Sequence, residues 1–529
     1  MADAGATTAR RRWSGWACRL LAVALAAPHP ARAAPDQYVP VRDPIEAEIR
    51  LLDLTDPLPG PPRILLPHLG TRPLQWRELQ GPGAPVDSTD PARAIALARL
   101  ERALGRNARP GFAPHPRYGS TPFLWRAATA GDAFELSLGV EGAGETDRYD
   151  SRYLSGSGLQ ARLAASFDHW LVFSHLLLGQ VDSARTFADP LVTNSDVILH
   201  TEDTYVAYTS GGGGWGTRLG RTRWNWGPGD EATLTLSRTA AALTGFDAHA
   251  RIEPLRSDGV ILSATVDEAA GEQLAAHRLE WQPRSRLRVG ITETARYHAA
   301  GWQPLYLVGV IPYVLVQRLT AQDNPDSADA VRNNVMVAAD IAWRPATGTR
   351  LYGELLIDDL HSKTSANPDK LGFQLGWEGV GVIRRSRVSW DGEYTRLSRY
   401  VYTSYFGRSY VAQGQPIGYP TGPDAERLAL RGAWDTGPDW QIGARISQTR
   451  HGEGSIDKPY VPGTPKGDPF SFEGVVERER VAEAGLRWWP ASGVDLSAWA
   501  GYRWLENAGH VVGASRDTPT AMLELRLTR

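Results

Sequence analysis

Val494–Trp504 reads VDLSAWAGYRW. Val494, Leu496, Ala498 and Ala500 alternate with Asp495, Ser497 and Arg503, and the apolar row runs on into Tyr502 and Trp504. Successive side chains of a strand point to opposite faces, so this stretch has one apolar face and one polar face. The pattern recurs. In Phe134–Glu141 (FELSLGVE) the apolar residues Phe134, Leu136, Leu138 and Val140 alternate with Glu135, Ser137, Gly139 and Glu141. Leu287, Val289 and Ile291 oppose Arg286, Arg288 and Thr292; Leu351, Leu355 and Ile357 oppose Tyr352, Glu354 and Asp358. Leu428, Leu430 and Trp434 oppose Arg427 and Arg431, and Leu523, Leu525 and Leu527 oppose Glu524, Arg526 and Thr528.

A soluble propeller or sandwich would also alternate. Two features separate these stretches from one: the polar face carries full charges of both signs, and the apolar face often ends in Trp or Tyr. A polar lumen, an apolar belt and aromatic girdles are the signature of a transmembrane barrel. No repeat of fixed period is present, which weighs against a propeller. From about Phe134 onward, roughly 400 residues at about 10 per strand plus connections correspond to about 16 to 18 antiparallel strands. The connections near Tyr297–Val331, Thr403–Glu426 and His451–Glu477 are long, whereas Gln282–Ser285 and Pro345–Gly348 are short turns, as outer loops and periplasmic turns would be. Ser155-Gly156-Ser157-Gly158 and Gly211–Gly214 read as glycine-rich turns.

The chain has 529 residues, 42% hydrophobic and 22% charged, with net charge −2. That balance gives no reason to expect a nucleic-acid partner. The single cysteine, Cys18, excludes a disulfide scaffold. It falls in an expected export leader, 1–33: Arg10-Arg11-Arg12, then the apolar Cys18–Ala27 (CRLLAVALAA), then Ala31-Arg32-Ala33 as the cleavage pattern. The longest later apolar stretch, Leu305–Val316 (LYLVGVIPYVLV), is too short for a membrane helix and contains Pro312.

Residues 34–126 read as a small helical bundle ahead of the barrel of 127–529, its helices too short to fold alone. Asp43 and Pro44 start one helix, with Ile45, Ile49 and Leu52 on one face. Asp90-Pro91 starts another, with Leu97, Leu100 and Leu104 as a stripe and Gly105 as its stop. Pro73–Leu79 (PLQWREL) is expected to add a short helical turn.

Several stretches in order resemble the Wzi family of capsule-assembly outer-membrane proteins: Arg72–Trp76 (RPLQW), Gly220–Gly229 (GRTRWNWGPG), Ala275–Pro283 (AAHRLEWQP), Tyr352–Asp359 (YGELLIDD), Leu371–Gly376 (LGFQLG), Glu393–Thr403 (EYTRLSRYVYT) and Gly422-Pro423-Asp424. The resemblance spans nearly all of the chain after the leader. It implies an 18-stranded barrel capped on the periplasmic side by helices. It also implies a lectin-like role, holding capsular or extracellular polysaccharide at the cell surface, among outer-membrane lipid.

The polysaccharide-binding candidates are Trp224, Trp226, Tyr352, Glu354, Asp358, Asp359, Arg396 and Asp424. Carboxylates on a lumenal strand accept hydrogen bonds from sugar hydroxyls, and a pair could cleave a glycoside. Equally, they could pair with lumenal arginines. Trp224 and Trp226 could stack on sugar rings or stand in an interfacial girdle, since residues i and i+2 share a face. Asp424 could contact a ligand or cap a turn. Lumenal arginines such as Arg278, Arg288, Arg427 and Arg431 could attract an acidic glycan or balance lumenal carboxylates. The histidines lack metal-binding spacing, and no catalytic constellation, cofactor or metal is expected. No interface patch is legible, so a monomer is expected. The rival reading is a porin-like channel for sugars or small anions, and a third is a membrane-embedded hydrolase.

Overall fold

The computed structural model describes residues 38–41, 44–56, 69–75, 90–104, 125–128, 132–146, 153–181, 197–323, 333–361, 367–404, 407–491 and 493–528. The expected leader, Asp43, residues 76–79 and Gly105 lie outside the described residues.

The alternating stretches are strands of one closed antiparallel barrel. Its eighteen strands begin with β1 (Asp132–Thr146), β2 (Tyr153–Phe167), β3 (Trp170–Val181), β4 (Val197–Thr209), β5 (Trp215–Thr222) and β6 (Leu243–Ile252). They continue with β7 (Ser257–Asp267), β8 (Glu272–Arg284), β9 (Leu287–His298), β10 (Asn334–Ala346), β11 (Thr349–Asp359) and β12 (Lys370–Ile383). The last six are β13 (Ser386–Leu397), β14 (Ala425–Gly437), β15 (Trp440–His451), β16 (Glu477–Ala491), β17 (Val494–Glu506) and β18 (Ser515–Thr528). Closure comes from β18 pairing with β1, from Met522 opposite Glu145 to Thr528 opposite Gly139. The segment Trp125–Ala128 covers the rest of that edge of β1, with Trp125 opposite Leu136.

The faces sort as the alternation requires. Leu138, Leu159, Leu279, Ile291, Ile341, Leu355, Leu430 and Leu523 point outward and are exposed. The exposed Trp170, Trp215, Trp281, Trp343, Trp434 and Trp440 gather near the short turns, and Tyr502 and Trp504 stand toward the opposite rim. This is the girdle arrangement of a barrel in a bilayer. At one end the strands join through short turns such as Asp168-His169, Ser285-Arg286, Thr347-Gly348 and Pro438-Asp439. At the other end the connections are long, including 223–242, 299–333, 398–424 and 452–476.

Ser155–Gly158 is not a turn but part of β2 near its start, with Gly156–Gly158 paired to both neighbours. Here glycine permits close approach: a side chain at Gly158 would meet Leu177 and the Leu178 carbonyl.

Two helices sit at the short-turn end. Helix α1 (Ile45–Thr55) has Glu46 and Glu48 in its first turn and buries Ile49 and Leu52. Helix α2 (Pro91–Leu104) is capped by Asp90, whose Oδ1 accepts the Ala92 N–H at 2.9 Å. Ile45, Ile49 and Leu52 pack on Ala96, Leu97 and Leu100. The pair docks on the barrel turns: Leu54 O accepts from Gly348 N at 2.7 Å, and Arg102 reaches Asp439 at 2.8 Å.

Pro73–Gln75 is extended, contrary to the helical turn expected there. Thr71 and Arg72 form a ladder with Trp226 and Asn225, and Gln75 bridges to Tyr38. The backbone pairing available inside the lumen outweighs the helical propensity of so short a segment.

Candidate functional site

Two parts of the lumen differ. Against β6 to β13 it is filled. The connection 223–242 leaves the wall after Thr222 and folds inward, where the Thr71–Arg72 ladder pairs with it. From the long-connection end, segment 398–424 descends to meet it: Ser237 N donates to Ile417 O at 2.9 Å, and Tyr402 OH donates to Leu234 O at 2.6 Å. An apolar core forms between them and the wall. It joins Trp226, Leu234 and Leu236 to Leu262, Leu274, Met336 and Leu356 of the strands and to Tyr402, Tyr410 and Ile417 of the descending segment.

The sequence candidates lie around this filling. Trp226 is 1% exposed and Trp224 is 6% exposed. Trp224 donates its indole N–H to Asp247 at 2.9 Å, with the Arg218 guanidinium stacked 5.7 Å from its ring. The girdle reading of these two residues is therefore corrected. The i, i+2 rule failed because the chain has already left the wall at Arg223.

Tyr352 and Glu354 face the same infold from β11. Glu354 accepts the Leu234 N–H at 3.1 Å. Tyr352 donates to Glu393 at 2.8 Å, and Glu393 in turn accepts the Asp230 N–H at 3.0 Å. Asp358 accepts the Tyr402 N–H at 2.7 Å, which fixes the top of the descending segment. Asp359 is only half-buried and pairs with the buried Lys370 at 2.7 Å. Glu354, Glu393 and Asp358 thus hold backbone amides of the infold and of the descending segment.

Arg396 and Asp424 belong to the rim. Arg396 donates to the Phe470 carbonyl and lies over the Phe472 ring at 4.0 Å. Asp424, with φ +55°, accepts N–H groups from Gly454 at 3.1 Å and Glu473 at 3.0 Å. Its burial pushes the carboxyl above the usual range. Together they tie the 452–476 connection down.

The lumenal arginines are paired with acids. Arg278 bonds Asp340 at 2.5 Å, Arg288 bonds Asp53 of α1 at 2.7 Å, and Arg427 bonds Glu231 at 2.5 Å. Asp230 collects Arg50, Arg238 and Arg431. Burial alone would raise its carboxyl, but the three guanidiniums hold it well below the ordinary carboxylate range.

Against β14 to β18 the lumen is open. A cavity of about 630 Å³ runs from His451 and Glu477 at the long-connection rim down to Arg445 and Glu483 at mid-strand. Its charged lining pairs off as Arg427 with Glu231, Arg445 with Glu483, and Arg503 with Glu479. Deeper, Trp499 lies flat over Gly443 and Gly485, with Arg445 stacked 4.9 Å from its ring. Below it, the Arg99 guanidinium of α2 stacks on Trp489 at 4.2 Å, and Arg102 bonds the Trp489 carbonyl at 3.0 Å. Trp499 was not among the sequence candidates. It has the parity of Asp495, Ser497 and Arg503, so the alternation already assigned it to the lumen.

Residues 132–519 match the family described as capsule assembly protein Wzi. The chain belongs to that family. This Wzi-family barrel is similar to a solved structure from Escherichia coli: Wzi, an outer-membrane protein involved in group 1 capsule assembly and described as a carbohydrate-binding β-barrel. The two are 14% identical, with 93% of this chain and 99% of that one covered and a TM-score of 0.60. OprD of Pseudomonas aeruginosa is 10% identical, with 75% and 95% covered and a TM-score of 0.43. No curated protein matches in sequence. The barrel's place is the outer membrane.

Proposed function

We propose that this Wzi-family barrel binds capsular or extracellular polysaccharide at the cell surface, in the cavity against β14 to β18, and neither conducts nor cleaves. The observation that carries this is a contrast within the lumen: an apolar core occupies the side of β6 to β13, and a polar cavity lined by paired charges lies against β14 to β18. Its volume, about 630 Å³, is in the range of small-molecule and saccharide pockets. Fixed Arg–Glu pairs present donors and acceptors at set spacing, which suits hydroxyl groups. Trp499 lies beneath this cavity, and its ring supports the Arg445 guanidinium that lines it with Glu483.

Residues 34–126 serve as the periplasmic plug in this reading, because α1 and α2 brace the short-turn end beneath the cavity. Glu354 and Asp358 do not act on a glycoside in this reading: each accepts a backbone amide, from Leu234 of the infold and from Tyr402 of the descending segment. Being a carbohydrate-binding protein is the described property of the Escherichia coli Wzi, and it supports the same role here.

The test is retention of purified capsular polysaccharide by the protein in liposomes. The unaltered protein is expected to retain it. Arg445→Ala with Glu483→Ala is expected to lose it while keeping the heat-dependent gel migration of a folded barrel. Equal retention by both proteins would place binding elsewhere.

A further inference from the structure

The stretch Leu305–Val316, the most apolar outside the leader, plays no part in the lumen. It belongs to the β9–β10 connection and contains the short helix α3 (Pro304–Leu307) and the start of α4 (Tyr313–Asp323). Its packing partners are outward-facing residues of the barrel. Tyr306, Tyr313 and Val316 pack on Ala275, Ala295 and Tyr297, and Val335 joins them. By strand parity these wall residues lie on the same face as the exposed Leu279, Ile291 and Ile341. Gly309 presses against Ile261 so closely that no side chain would fit there. The connection therefore folds down over the outside of the wall.

Beneath it the outer face carries a His–Glu pair. His277 Nε2 stands 3.0 Å from Glu293, and the two are directly opposite in the β8–β9 register. Glu293 accepts the first N–H groups of α4, from Tyr313 at 2.7 Å and Val314 at 3.2 Å. An uncovered carboxylate on a lipid-facing strand is costly. Here the helix start satisfies it and seals it off.

The height of this site follows from the strand. His277 is four residues along β8 from the girdle residue Trp281. At about 3.3 Å per residue that is roughly 13 Å, well inside a lipid-facing band about 25 Å tall. The outer surface of the covering segment is apolar: Val310 is 81% exposed, Val308 52% and Leu315 50%. It is continuous with the lipid-facing surface of Leu279 and Ile291.

We propose that residues 301–319 form a lip embedded in the outer leaflet, with lipid acyl chains against Val308, Val310 and Leu315. The lip thickens the barrel on one side and shields the His277–Glu293 pair from hydrocarbon.

Single cysteines test this in a Cys18→Ser background, which otherwise has no thiol. Val310→Cys and Leu315→Cys carry a nitroxide in liposome-reconstituted protein, with Ile291→Cys as the lipid reference and Val512→Cys as the aqueous reference. Both lip labels are expected to match Ile291→Cys, relaxed strongly by molecular oxygen and weakly by a water-soluble nickel chelate. A match of either one to Val512→Cys overturns the proposal. If either lip variant loses the gel migration of a folded barrel, Val314→Cys and Leu319→Cys replace them under the same criteria.

Discussion

Glu48 of α1 and Arg387 of β13 share two hydrogen bonds across 339 residues of chain, at 2.6 and 2.9 Å. Arg387 also bonds Asp435, and Arg99 of α2 bonds both Glu48 and Asp435 at 2.6 Å. Two acids and two guanidiniums thus close a ring that fastens both helices to the wall. All four groups are buried. Such a ring is a poor source of net stability but costly to break at one corner.

Arg387→Ala is therefore expected to loosen the helices by about 3 kcal/mol or more while the barrel stays closed. Limited proteolysis reads it: cleavage within 44–104 should rise steeply, with no change in the heat-dependent migration of the barrel. Unchanged cleavage would mean that the apolar contacts of Ile49, Leu52 and Leu97 hold the helices unaided.

Acid should do the same without mutation. Burial would raise the Glu48 carboxyl, but Arg387 and Arg99 hold it down at about 2, against an ordinary 4.5. The folded value is the depressed one, so its contribution is complete above pH 4.5 and is lost as pH falls through about 2. The size is about 3 kcal/mol. Asp53 of α1, held low by Arg288 against its burial, shifts in the same direction. Proteolysis of the helices is expected to increase between pH 4.5 and 2, and in Glu48→Gln that increase should be smaller.

Much of the wall was legible because its physics is local. Parity alone put Leu428, Leu430 and Trp434 outside and Tyr352, Glu354 and Asp358 inside, and Asp90-Pro91 marked a helix start. The filling of the lumen was not legible, because it depends on contacts such as Trp226 with Thr71 and Tyr402 with Leu234, far apart in sequence. Trp224 and Trp226 keep strand-like spacing after leaving the wall, so they looked like girdle residues. Trp499 shows a different failure: its parity with Asp495, Ser497 and Arg503 was readable, but nothing local marked it as a candidate. The Leu305–Val316 run likewise gave no sign that it would fold over the outside.

Trp226 provides a contrast between core and girdle. Trp226→Ala empties a site enclosed by the infold and should cost about 3 to 5 kcal/mol. Trp343→Ala, at an exposed girdle position, should cost much less. The temperature at which each variant loses its folded migration gives the comparison, and equal losses would deny that the lumen core holds the infold.

Trp499→Ala should weaken polysaccharide retention about tenfold, or about 1.4 kcal/mol, without lowering the melting temperature of the barrel by more than a few degrees. Unchanged retention would show that the Arg445–Glu483 pair keeps its place without the Trp499 ring beneath it.

Planar-bilayer recording of the purified protein tests the central claim most directly, with the Arg387→Ala, Arg99→Ala double variant as the control for insertion. The proposed plug predicts no steady conductance from the unaltered protein and discrete openings from the double variant. Steady single-channel conductance from the unaltered protein would contradict the account and make the barrel a channel.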